Sequence, residues 1–184
     1  VRDYKIDIRE GKHSFGTASP FNIKSDSLFL SNFDKDEVFE LLEQHTRQTG
    51  QEFPLEVKEE IFRLTGGQPW LTNALARQIT SKILQYDFSK KITPGILNMA
   101  KRQLILRRDT HLDSLVEKLK EPRVKQLIQA LINGDQVTFD NLNDDISYTR
   151  DLGIISRQDP LKIANPIYAE IIPRVMAYPM QASL

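Results

Sequence analysis

Four groups of residues have types and spacings that could do chemistry. The first is Gly66-Gly67-Gln68-Pro69, followed by Trp70, the only tryptophan in the chain. Adjacent glycines allow close backbone approach, and the amides of a helix opening at Pro69 could face an anion. Proline removes one of those donors, so the same residues also describe a plain helix–helix corner. The second group is a run of cations: Lys101, Arg102, Arg107, Arg108, Lys118, Lys120, Arg123 and Lys125. They could contact phosphates, with Arg107, Arg108 and Arg123 as candidate nucleic-acid contacts. They could equally be solvated helix faces balanced by Asp109, Asp113, Glu117 and Glu121. The third group, Asp144-Asp145, could pair as acid and base or hold a cation, or could simply solvate a short helix. The fourth is His13, His45 and His111, which lie far apart and lack metal-ligand spacing.

Much catalytic equipment is missing. There is no G-x-x-x-x-G-K-[ST] loop, no G-x-G-x-x-G and no G-x-S-x-G elbow. No strand-like run ends in the paired acids that would hold Mg²⁺ for phosphoryl transfer. The chain has no cysteine, which removes disulfides, thiolate metal sites and cysteine nucleophiles. Neither catalytic residues nor a metal site are therefore expected. Lys plus Arg number 25 and Asp plus Glu number 25. The resulting zero net charge argues against undirected attraction to DNA or an anionic membrane. Apolar residues make up 40% of the 184, enough for a real core in one domain or two small ones. No apolar window spans a bilayer and no signal-peptide pattern opens the chain, so the expected location is cytoplasmic. The start at Val1 rather than Met leads us to expect a fragment or a processed product.

The elements that must position these groups are mostly helices. Val1 to Arg9 alternates like the end of a strand, Gly11 to Asn22 reads as a loop, and Ser27 to Leu30 as a short buried strand. Asn32 or Asp34 caps a helix ending at Thr49-Gly50. Pro54 opens a second helix, stopped by Gly66-Gly67, and Pro69 opens a third that runs to about Tyr86. Thr93-Pro94 starts a fourth. Leu112 to Leu119 forms a fifth, and a sixth runs from Pro122 to Gly134. A short strand at Val137-Thr138-Phe139, a helix from Asn141 to Leu152 and a hairpin from Ile154 to Ala164 follow. Asn165-Pro166 caps the last helix, which Pro173 should kink or shorten, and the tail after Tyr178 should fray.

Helix, short strand, helix, hairpin is the order of a winged helix. The predicted fold class is mainly α: a helical lid bundle followed by a winged-helix domain with a small β-hairpin. Residues 1–33 would be a lead-in, 34–108 the lid, 109–178 the winged helix and 179–184 a tail. The helix in the recognition position carries Asp144, Asp145 and Asp151 against one Arg150. Such a helix would repel the phosphates of a major groove, which favours a protein contact over DNA.

Several segments together resemble the C-terminal part of bacterial P-loop ATPases of the AAA-like, STAND-related class. They are Ala18 to Ile23, Gly50 to Phe53, Leu64 to Ala76, Arg108 to Leu115, Asp151 to Ile155 and Ala164 to Tyr168. The most specific is Gly67-Gln68-Pro69-Trp70-Leu71, which resembles the G-x-P signature of STAND lids. The resemblance implies that Gly67, Gln68 and Pro69 lie near the adenine or ribose of a bound nucleotide, with Trp70 packed behind them. Pro69 would report nucleotide state to the lid. It also implies a nucleotide-binding core upstream of Val1 that holds ATP or ADP with Mg²⁺. The segment given would bind no cofactor and hydrolyse nothing by itself. Its partners would be that core and a further protein, with no membrane role. The alternatives are a winged-helix DNA-binding regulator and a protein-interaction adaptor without a nucleotide role.

Overall fold

Punctuation by caps, prolines and glycines sets the helices. The computed structural model describes residues 32–107, 110–135, 137 and 143–177. The expected strands at Val1 to Arg9 and Ser27 to Leu30, the loop at Gly11 to Asn22 and the tail lie outside them, as does most of the strand at Val137 to Phe139. Helix α1 (Lys35–Thr49) begins with a capping box: the Glu37 amide donates to Asp34 Oδ1 at 2.8 Å, and the Asp34 amide to Glu37 Oε2 at 2.9 Å. It ends at Gly50, whose φ of 75° is left-handed. Helix α2 (Leu55–Thr65) follows Pro54 and stops at Gly66. Helix α3 (Pro69–Arg77) starts with proline at its first position, where no amide is needed.

The third helix differs from its expected course. After Arg77 the backbone widens into a π-helical segment, Gln78–Ile83, in place of a regular helix to Tyr86. Its signature is the Leu84 amide donating to the Ile79 carbonyl at 3.0 Å, five residues back. Gln78 is buried there, and its amide donates to Gln103 Oε1 at 2.6 Å. That bond satisfies a polar group that would otherwise oppose burial.

Helices α4 (Pro94–Arg107), α5 (Thr110–Leu119) and α6 (Pro122–Asn133) follow, then α7 (Asp144–Asp151) and α8 (Pro166–Ala177). Asn143 caps α7, its Oδ1 accepting from the amides of Asp145 and Ile146. The fold is mainly helical, and no strand occurs among the described residues. The hairpin expected over Ile154 to Ala164 is reduced to one antiparallel bridge, Ile155 to Ile163. The Ser156 hydroxyl donates to the Gln158 and Pro160 carbonyls, and its oxygen accepts from the Lys162 amide. The turn therefore closes on a side chain and leaves little backbone for a ladder. Pro173 does not shorten α8, which continues to Ala177.

All the described residues fall in one compact unit. Buried Val38, Ile61, Leu75, Leu97, Ile128 and Ile172 belong to one cluster contributed by successive helices. Helix α8 packs on α2, α4 and α5, and Lys101 of α4 pairs with Glu170 of α8 at 3.0 Å.

Candidate functional site

The corner between α2 and α3 is built from both glycines and held from two directions. Gly66 and Gly67 have φ of 58° and 72°, a region open to glycine at little cost. The Phe33 amide donates to the Gly67 carbonyl at 2.8 Å, and Asn32 Nδ2 donates to the Gly66 carbonyl at 3.0 Å. A β-carbon on Gly67 would stand 1.9 Å from the Phe33 carbonyl oxygen. On Gly66 it would stand 3.3 Å from the Ala164 oxygen, just before α8. The corner is therefore a backbone junction between the Asn32–Phe33 entry and the start of the last helix.

The donors at this junction are committed internally. The Gly67 amide donates to Thr65 Oγ1 at 3.2 Å, and the Gln68 amide to the Thr65 carbonyl at 3.1 Å. Gln68 folds back over the first turn of α3, where its Oε1 accepts from the Leu71 amide at 2.5 Å. Amides occupied in this way do not form a phosphate cradle. What the corner offers instead is the Gln68 Nε2 donor, the Pro69 ring and half-buried Trp70, which packs against the core. Beneath it, the buried Thr72 hydroxyl bonds Thr65 Oγ1 at 3.2 Å and ties α3 to the end of α2. Of the four expected nucleotide-side residues, Gln68, Pro69 and Trp70 are half-buried here, and Gly67 is buried against Phe33. Phe33 was not singled out in the sequence, and Ala164 and Asn165 were read only as part of a resembling segment and a helix cap, because their proximity to the corner is tertiary.

Arg108 lies outside the described residues, and Arg107 ends α4. Arg123 instead stacks on the Tyr148 ring, 3.3 Å from its centroid, and pairs with Glu121 at 3.4 Å. Lys118 completes this knot, donating to Glu121 Oε1 at 2.8 Å and to the Tyr148 hydroxyl at 3.3 Å. Lys118, then Tyr148 and Arg123, hold the Glu121 carboxyl below the usual range, and Glu121 raises Lys118 in return. These cations are engaged within the fold.

Among the remaining candidates, His13 lies outside the described residues. Asp144 and Asp145 are exposed in the first turn of α7, where they complement its dipole. His45 Nε2 bonds Gln51 Oε1 at 2.9 Å and lies edge-on to Phe53 and Phe88. Among the described residues no group of histidine and acidic side chains could hold a metal ion. No described helix is long and apolar enough to cross a membrane. Comparison with protein-family models, with curated proteins and with solved structures gave no match.

Proposed function

We propose that this chain is the lid and winged-helix region of a nucleotide-switched P-loop ATPase, relaying nucleotide state to a protein partner. The observation that carries the reading is the double attachment of the Gly66–Pro69 corner. One side is bonded to Asn32 and Phe33, the way in from the proposed core. The other side abuts Ala164 and Asn165, the way into α8. In this reading ATP or ADP with Mg²⁺ sits in a core N-terminal to the chain. Gln68, Pro69 and Trp70 meet its base side, with Gly67 allowing the close approach of the Phe33 backbone behind them. A shift of Pro69 between nucleotide states would move the entry segment and the last helix together.

The order of α6, α7 and the Ile155–Ile163 bridge supports a winged helix whose wing is reduced to a single bridge. Exposed Asp144, Asp145 and Asp151, with Arg123 stacked on Tyr148, favour a protein partner over DNA.

The reading is tested by measuring ATP and ADP affinity and turnover in the full-length protein, native and Pro69→Ala. The substitution is expected to narrow the affinity difference between ATP and ADP while the fold is retained. Unchanged affinities and turnover would remove Pro69 from the mechanism.

A further inference from the structure

A cavity of about 250 Å³ opens between α1, Phe53 and the α3–π junction. Leu41, Phe53 and Ala76 give it an apolar lining, and His45, Asn73 and Arg77 a polar one. It is smaller than the roughly 300 Å³ at which pockets for drug-sized ligands begin, and suits one large side chain. Arg77 is exposed and pairs with no carboxylate among the described residues.

The cavity wall continues into an aromatic shelf. His45 meets Phe88 edge-on at 5.7 Å, and Phe88 meets Tyr86 at 6.4 Å. Both rings are large exposed hydrophobics, Tyr86 at 63% and Phe88 at 41%. The shelf is fixed in place. Gln85 and Tyr86 hold φ of 52° and 59°, a conformation that non-glycine residues avoid and that recurs where ligands are gripped. The Tyr86 amide donates to the Thr80 carbonyl at 2.9 Å, and buried Gln51 donates to the Asp87 and Lys90 carbonyls at 3.3 and 2.7 Å. Exposed Lys82 and Lys91 flank the shelf in sequence, and neither has a carboxylate partner among the described residues.

We infer that this cavity and shelf form a docking site for an acidic peptide that inserts one large apolar side chain beside a carboxylate facing Arg77. The volume sets one side chain as the anchor, and the uncompensated cations set the sign of the charge. Rigid aromatics beside a pocket are what peptide anchors use. The site is independent of the nucleotide reading, since none of the corner residues lines it.

The test is a titration of the full chain, followed by ¹⁵N–¹H spectra, with acetyl-Phe-Glu-amide, acetyl-Phe-Gln-amide and adenosine monophosphate. The Glu peptide is expected to shift His45, Asn73, Arg77 and Phe88, and to bind about threefold tighter than the Gln peptide, as an exposed ion pair allows. Arg77→Glu should abolish that preference, and Phe88→Ala should weaken both peptides. Equal affinity for the two peptides, or no binding by either, would overturn the inference. So would the nucleotide binding best at these residues, or sedimentation showing self-association that Arg77→Glu abolishes.

Discussion

Gly67 has no room for a β-carbon, whereas Gly50, the left-handed cap of α1, has ample room. Both carry positive φ, of 72° and 75°, so both substitutions to alanine meet the same local strain. Only Gly67 also faces a backbone oxygen 1.9 Å from where the new atom would stand, whereas nothing lies within 4 Å at Gly50. Gly50→Ala should therefore cost about 1 kcal/mol, and Gly67→Ala at least about 2 kcal/mol more. Denaturant unfolding of the two variants measures the difference. Equal losses would mean that the Phe33 contact contributes nothing. The glycine pair was legible as a helix stop from its type alone. That Gly67 also receives a second chain segment was not, because nothing near Phe33 in sequence marks where it lands.

Among the elements, the helices are the part that local chemistry specifies. The capping box at Asp34 and Glu37, the prolines at the starts of α3 and α6, and the glycines after α1, α2 and α6 state their ends directly. The π segment was illegible, since Ile79, Ile83 and Leu84 keep an apolar spacing that a regular helix would also give. The wing misled for a related reason. Apolar Ile154, Ile155 and Ile163 suit a strand, but Ser156 gathers the turn onto its own hydroxyl. The turn after the π segment depends on a distant residue. Buried Gln51 donates to two of its carbonyls through Nε2, and its Oε1 accepts from His45 Nε2. Gln51→Leu should cost about 1 kcal/mol by removing the side-chain partner of those part-buried groups. Amide exchange around Asp87 to Lys90 should accelerate before the rest of the molecule opens. Uniform acceleration throughout would show that Gln51 is not specific to the turn.

At the scale of the whole molecule, helices far apart in sequence share one buried cluster, and α8 is packed on α2, α4 and α5. The corner residues stand where the entry segment, α3 and the approach to α8 meet. A displacement there has two packed neighbours to push, which is what a relay needs. The proposed site was less legible than the architecture. Gly67, Gln68, Pro69 and Trp70 were named through a resemblance to a lid signature, and the engagement of Gly66 and Gly67 with Asn32, Phe33 and Ala164 comes from tertiary structure alone. The most direct test of the relay is hydrogen exchange on the full-length protein without nucleotide, with ADP and with ATP. The account predicts that protection at residues 65–71 differs between ADP and ATP, that residues 33–35 and 164–168 change with it, and that Pro69→Ala uncouples the three. Exchange at the corner that is indifferent to nucleotide, or changes there that leave the other two segments untouched, would contradict it.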